Sequence, residues 1–325
     1  MSKVLGIIAE YNPFHNGHLY HLEASKKLTD ADYTVAIISG NFTQRGSTSI
    51  VDKWSKTKMA LKNGIDLVIE LPVLYSISSA ENFADGAIKI LNSLGIVDYL
   101  SFGAETSDIS ILNNIANILC SEHEEYKNLL SIELEKGLSF PKARENALLD
   151  YIKNTDDNVP ENRIIDFEKY SKVLSSPNNI LGIEYLKALK KYKSSIKPVC
   201  ISRFATDYNS TKLSKIENST SNCNPQNFAS ATAIRELIKN KNFDAIKTVI
   251  PLESYLILMN CINSGCIVPD LNCFEKEIIY TLRKMSIEEI ANIPDVSEGL
   301  EFSIKKAANY CNNINEFLDI VKSKR

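Results

Sequence analysis

Three of the four histidines in this sequence, His15, His18 and His21, fall within seven consecutive residues of the segment Glu10-Tyr11-Asn12-Pro13-Phe14-His15-Asn16-Gly17-His18-Leu19-Tyr20-His21. Imidazoles can donate hydrogen bonds to phosphate oxygens and to the charge that develops as a phosphate leaves. The segment directly follows Val4-Leu5-Gly6-Ile7-Ile8-Ala9, an apolar strand-like run, and it opens a helical pattern. At such a turn the backbone N–H groups and the positive end of the helix dipole face an incoming anion, and Gly17 places no side chain in its path. Nucleotide phosphate is the ligand this pattern favours. Simple helix capping by histidine is the plain alternative. Zinc is another, since His15 and His18 share a helix face; but His21 is rotated away and no cysteine or carboxylate pair lies nearby in sequence, so no protein-held metal is expected.

A second constellation is Ser230-Ala231-Thr232-Ala233-Ile234-Arg235. Hydroxyls at a helix start cap the backbone or bind phosphate, and Arg235 in the first turns can present a planar fork of donors to a triphosphate. Taken alone, this is also what an ordinary helix start looks like.

The elements that must position these groups are short β-branched runs at Val4 to Ala9, Tyr33 to Ser39, Asp66 to Leu71, Asp98 to Phe102 and Pro198 to Ser202, with helical patterns between the first four. That alternation predicts an α/β fold with a parallel sheet, whose ligands bind at the carboxyl ends of the strands. Three runs end in loop-like residues there: Glu10 to Pro13, Gly40 to Gly46, and Gly103 to Glu105. From Ser107 to Lys153 the pattern is helical, with Ile109, Leu112, Ile115, Ala116 and Leu119 at helical spacing, and the polar run Asn154 to Asn162 reads as a mobile loop. A second polar stretch spans Asn218 to Asn227. The expected organisation is a catalytic domain over 1–250, carrying a helical insertion at 107–163, and a helical domain over 251–325 with breaks near Gly265 to Pro269 and near Pro294.

Lys and Arg number 37 against 40 Asp and Glu, a formal charge of −3, so any nucleic-acid surface must be local. No stretch stays apolar for the roughly 18 residues of a membrane span, and no basic segment followed by an apolar run opens the sequence. A cytoplasmic protein that engages no membrane is expected. The seven cysteines lack paired CxxC spacing and read as reduced, mostly buried thiols.

Together, His15-Asn16-Gly17-His18 after the first strand and Ser230 to Arg235 after the last resemble the signature pair of the HIGH-type nucleotidyltransferase superfamily. At closer range Glu10 to His21 resembles the N-terminus of the bacterial tRNA(Met) cytidine acetate ligases. Ser39 to Gly46, Asp66 to Pro72, Phe102 to Glu105, Pro177-Asn178-Asn179-Ile180-Leu181-Gly182 and Ala229 to Arg235 agree with that family in the same order. The resemblance implies a Rossmann-like sheet of the HIGH nucleotidyltransferase type with a helical insertion and a C-terminal helical domain. It implies a ligase that turns acetate and ATP into acetyl-adenylate and pyrophosphate, then acetylates N4 of the wobble cytidine of elongator tRNA(Met), with Mg²⁺ accompanying ATP. His15, His18 and Arg235 are the implied catalytic residues. Implied ATP contacts are Ile7, Ile8, Ala9, Glu10, Tyr11, Asn12, Pro13, Phe14, His15, Asn16, Gly17, His18, Leu19 and Tyr20, with Gly103, Asn178, Arg203, Ser230, Thr232 and Arg235. Gly103 permits close backbone approach, and Asn178 offers both donor and acceptor to a ribose or adenine edge.

Arg45 and Lys53 are candidates to meet tRNA or acetate. Lys53, Lys56, Lys58 and Lys62, and again Lys190, Lys191, Lys193 and Lys197, are candidates for phosphate-backbone contact. Family members carry a longer C-terminal helical region with a basic end, whereas this sequence stops at Val321-Lys322-Ser323-Lys324-Arg325. The competing expectations keep the fold and change the acceptor: an adenylyltransferase or acetate ligase acting on a small molecule or on a protein-cofactor thiol. A non-catalytic RNA-binding module is the third, and loss of the histidine or Ile-Arg motif, which are both present, would favour it.

Overall fold

Strand β1 (Val4–Ala9) is buried from Leu5 to Ile8, and β2 (Tyr33–Ser39) from Thr34 to Ser39, which is what a sheet covered on both faces demands of its central strands. With β3 (Leu67–Leu71), β4 (Tyr99–Ala104) and β5 (Lys197–Ser202) they form one parallel sheet in the order β3-β2-β1-β4-β5. The computed structural model describes residues 2–106, 108–121, 123–155, 167–202, 228–268, 270–297 and 299–322. Arg203, most of the polar run at 154–162 and all of that at 218–227 lie outside the described residues.

After β1 comes α1 (Asn16–Thr29), after β2 α2 (Lys53–Lys62), and after β3 α3 (Val73–Ser76) and α4 (Ala80–Leu94). Between β4 and β5 lie α5 (Ile109–Ser121), α6 (Glu124–Glu135), α7 (Phe140–Thr155), α8 (Phe167–Ser175) and α9 (Pro177–Lys191). The sequence then continues through α10 (Ala231–Lys239), α11 (Phe243–Val249) and α12 (Leu252–Asn263) to α13 (Glu275–Lys284), α14 (Ile287–Ala291), α15 (Leu300–Tyr310) and α16 (Ile314–Lys322).

Strand side chains alternate between the two faces, so β2 sends Val35 and Ile37 into one apolar layer and Ala36 and Ile38 into the other. The first layer is completed by α4, α5 and α9 through residues such as Phe83, Leu91, Leu112 and Leu186. Gly182 lets α9 lie close on β4, since a Cβ there would stand 2.7 Å from the Phe102 ring. The second layer is completed by α1, α2, α10, α11 and α12 through Leu22, Met59, Ile234, Ile246 and Leu258. A separate small core joins α13, α15 and α16 around Ile279, Ala307, Ile314 and Phe317, and Arg283 stitches it by donating to the Ala308 and Cys311 carbonyls at 2.6 and 2.9 Å.

The ladder between β1 and β4 stops at Ile7↔Ser101, although β1 runs to Ala9 and β4 to Ala104. The chain winds outward from β1 to β3 and then returns to β4, so this gap is the topological switch point of the sheet.

Two expectations need correction. Lys56 is not a surface cation but fully buried, because it shares the sheet-facing side of α2 with Met59 and Ala60 three and four residues on. The thiols are not mostly buried: among the described residues Cys261 and Cys311 are, Cys200 is half-buried, and Cys120, Cys266 and Cys273 are exposed, a thiol being small enough to sit on the outward side of a helix or in a turn.

Candidate active site

Beyond β1 the chain turns sharply. Tyr11 adopts φ 48, a left-handed conformation that costs a residue with a side chain on the order of 1 kcal/mol or more, and its buried ring packs 4.8 Å from both Phe14 and His18 to hold it there. His15, extended at φ −130 and ψ 174, is the N-cap of α1. Its Nδ1 accepts from the Gly17 N–H at 3.0 Å, while Nδ1 of His18 accepts from the His15 N–H at 3.2 Å, a capping box built from two imidazoles instead of a hydroxyl and a carboxylate. The two rings stack with centroids 3.7 Å apart. An Nδ1 that accepts cannot hold the proton, so both neutral rings carry it on Nε2 and present a donor at the edge away from the helix backbone. Helix capping and phosphate chemistry, weighed as alternatives above, are thus compatible uses of opposite edges of one ring.

Helix α10 is anchored by the buried Ile234, and its N-cap Ser230 accepts from the Ala233 N–H at 3.1 Å. From it Arg235 reaches the turn after β1, donating through Nη1 to the Asn12 carbonyl at 3.0 Å and through Nη2 to Thr232 Oγ1 at 3.1 Å. Two segments more than two hundred residues apart therefore meet at the mouth of the β1–β4 gap. The buried Asn12 also fastens the loop after β2, its Oδ1 accepting from the Ile50 N–H at 2.8 Å.

That loop is fixed at two further points. Glu10 Oε1 accepts from the Gln44 N–H at 2.7 Å, and the Lys56 ammonium donates to the Gly40 carbonyl at 2.9 Å and Ser39 Oγ at 3.2 Å. Burial pushes the Lys56 ammonium down to about 8, against the pull of the Glu10 and Glu70 carboxylates. On the opposite wall Glu105, at the end of β4, accepts from the Asn178 side chain at 2.6 Å and the Asn179 N–H at 3.0 Å, tying the start of α9 to the sheet.

The result is a cleft of about 330 Å³, within the range of small-ligand sites. Of the residues singled out in the sequence, Ile7 to Asn12, His15, Gly17, His18, Tyr20, Arg45, Gly103, Asn178, Ser230, Thr232 and Arg235 line it. Others stand behind the wall. Phe14 is wholly buried beneath the turn, Leu19 packs on the second apolar layer, Asn16 donates to the Thr248 carbonyl at 3.1 Å, and Pro13 closes the cis Asn12-Pro13 peptide. Lys53 pairs with Glu70 at 2.7 Å. His21, the third clustered histidine, lines the cleft too, and lining residues not singled out include Thr43, Gln44, Ser47, Tyr185 and Phe228. Thr43, Gln44 and Ser47 sit in or beside the loop whose position at a strand end was the signal, whereas Tyr185 carries none, being a helix residue whose phenol burial pushes far up. His21 meets Ser101 on β4 at 3.1 Å. Among the described residues no group of three or more His, Cys, Asp or Glu could hold a metal ion.

The family model described as HIGH Nucleotidyl Transferase matches residues 2–325. The chain belongs to the HIGH nucleotidyl transferase family. Within that family it is 49% identical over 323 residues to the tRNA(Met) cytidine acetate ligase of Caldanaerobacter subterraneus subsp. tengcongensis, covering 99% of this chain and 74% of the relative. It is 46% identical over 327 residues to the tRNA(Met) cytidine acetate ligase of Acetivibrio thermocellus, covering 99% and 73%. Its fold matches the crystal structure of Thermotoga maritima TmcAL bound with alpha-thio ATP with a TM-score of 0.86 at 37% identity, over 99% of this chain and 71% of that one. Its fold, a parallel sheet covered by helices, is that of the HIGH nucleotidyl transferase family, and both signature segments lie at the cleft. No helix among the described residues is long and apolar enough to cross a membrane.

Proposed function

We propose that this protein is a tRNA(Met) cytidine acetate ligase, which uses ATP to activate acetate and transfers the acetyl group to N4 of the wobble cytidine of elongator tRNA(Met), releasing AMP and pyrophosphate. The observation that carries this reading is the meeting of Arg235 with the His15–His18 turn through Asn12, at the mouth of a cleft of nucleotide-binding size. Relatives bearing that name at 46–49% identity over 99% of the chain support the choice of reaction, and the neighbouring structure with alpha-thio ATP supports the nucleotide.

In this reading one acetate oxygen attacks the α-phosphorus and the bond to the bridging oxygen of pyrophosphate breaks. Acetate is already ionised at neutral pH, so this step needs alignment and stabilisation of charge rather than a general base. The Nε2–H donors of His15 and His18, the start of α1 and the Arg235 guanidinium supply that stabilisation along the phosphate chain. Gly103 admits the nucleotide to the strand end and Asn178 faces its ribose or base, with Ser230 and Thr232 closing the phosphate side. The cytidine N4 then attacks the acetyl carbon, AMP departs and N4 loses a proton. Among the described residues no group of carboxylates could hold a metal ion; Mg²⁺ would accompany the triphosphate, and no step is assigned to it. Residues 1–250 carry the chemistry, with 107–163 as an insertion and 251–325 as a helical domain; a cytoplasmic location follows from the substrates. The test is mass spectrometry of nucleosides from unmodified tRNA(Met) incubated with the protein, ATP and isotopically labelled acetate. Labelled N4-acetylcytidine is expected, and its absence alongside active acetate-dependent ATP–pyrophosphate exchange would sink the choice of acceptor.

A further inference from the structure

The one tryptophan of the chain is not in its core. Trp54 stands at the start of α2 and is 69% exposed, although tryptophan is among the residues most thoroughly buried on average. Helix α2 has two covered sides. Lys56, Met59 and Ala60 face the sheet, and α12 packs alongside, with Asn63 donating to Ser254 Oγ at 3.0 Å and Cys261 Sγ meeting Ser55 Oγ at 3.3 Å. The remaining side carries Trp54, Lys58 and Lys62, all exposed and spaced four residues apart, so that an indole is followed by two cations along one line. Lys53 adds a further cation 5.6 Å from the indole centroid.

This face lies at the reactive edge of the molecule. Helix α2 begins where the loop from the carboxyl end of β2 finishes, and that loop contributes Thr43, Gln44, Arg45 and Ser47 to the cleft. The Ile50 N–H is hydrogen-bonded to the Asn12 side chain, and Trp54 follows four residues later, so its backbone is within about 14 Å of Ile50 even at full extension. A chain of −3 formal charge has placed an exposed π-surface and a row of ammonium groups next to its candidate active site. Single-stranded nucleic acid is held by that pairing: cations follow the phosphates and an aromatic ring takes a base.

We propose that the exposed face of α2 receives the single-stranded loop of the RNA acceptor, with the Trp54 indole stacking on a nucleobase neighbouring the one that is acetylated. The proposal rests on the RNA acceptor of the preceding section. It fixes the side of the cleft from which the RNA enters, and it makes Trp54 a positioning residue for the second half-reaction only.

Because Trp54 is the sole tryptophan, its fluorescence reports on this face alone. The full chain is titrated with a fluorophore-labelled anticodon stem-loop of tRNA(Met), reading RNA anisotropy and indole emission together. Binding should quench the indole, and Trp54→Ala should weaken binding roughly 5- to 100-fold, with Trp54→Phe intermediate and acetate-dependent ATP–pyrophosphate exchange, which needs no RNA, as the control for folding. Lys58→Glu with Lys62→Glu should flatten the salt dependence of binding. RNA that binds without quenching the indole, or a Trp54→Ala affinity equal to the parent's, overturns the proposal. So does an emission change that follows protein concentration without RNA, which would assign the face to a second copy. Quenching without acetyl transfer refutes the ligase reading but keeps this surface; transfer without quenching does the reverse; the absence of both removes both.

Discussion

Lys56 offers the sharpest quantitative test of the site's construction. Its ammonium is fully buried between the end of β2 and α2, and burial lowers its pKa from the ordinary 10.5 to about 8. Between those two values the unfolded chain holds the proton while the folded chain has released it. Stability therefore rises with pH across this window, the reverse of a lysine stabilised by an acidic partner. The full difference is worth about 3 kcal/mol, present as a cost below about pH 8 and gone above pH 10.5; by about pH 9.5 about 2 kcal/mol of it is relieved. Lys56→Met removes the titration while keeping the length of the side chain. It also leaves the Gly40 carbonyl without its donor, a loss on the order of 1–3 kcal/mol that offsets the relief near neutral pH. Near pH 7 the parent and the variant should thus unfold within about 2 kcal/mol of each other in urea, and by about pH 9.5 the parent should have gained about 2 kcal/mol on the variant. Other lysines, tyrosines and cysteines titrate in both proteins and cancel in the difference. Midpoints that shift in parallel from pH 7 to about 9.5 would refute the argument that this ammonium is desolvated.

Three further outcomes follow from the geometry. Replacing His18 with alanine removes a cap acceptor and the proposed phosphate donor, so acetate-dependent ATP–pyrophosphate exchange should fall about 10²- to 10³-fold while thermal stability drops by only about 1 kcal/mol; a variant as active as the parent would remove His18 from the chemistry. Arg235→Lys keeps the charge but cannot reach the Asn12 carbonyl and Thr232 Oγ1 together, and exchange should fall at least about tenfold at saturating ATP; unchanged exchange would show that charge alone suffices. Gly182→Ala drives a methyl to 2.7 Å from the Phe102 ring and should cost about 1–3 kcal/mol in urea unfolding, and a neutral result would mean that α9 can slide on β4.

The five strands were legible because each is a short apolar run with turn residues at its end, and their parallel pairing follows from the helices between them. The His15 to His18 turn was legible from residue type, and its convergence with Arg235 from the colinear motifs. What the sequence hid was direction. Lys56 looks like its neighbours Lys53, Lys58 and Lys62 until the helix phase is taken from Met59 and Ala60, which turns it inward. Phe14 and Leu19 sit in the densest part of the nucleotide motif yet point into the apolar layer, because a turn this tight needs a floor. Tyr185 could not be found at all: it comes from α9, and only the packing of α9 on β4 brings it into line with the cleft.

Asn12 is a small residue with a large jurisdiction. Its main chain answers to Arg235 and its side chain to Ile50, so α10 and the strap leading to Trp54 pull on one pivot. Whatever the nucleotide does to that pivot, the strap must feel, and linkage is symmetric: if filling the cleft sharpens the grip on the second substrate by some factor, the second substrate sharpens the grip on nucleotide by the same factor.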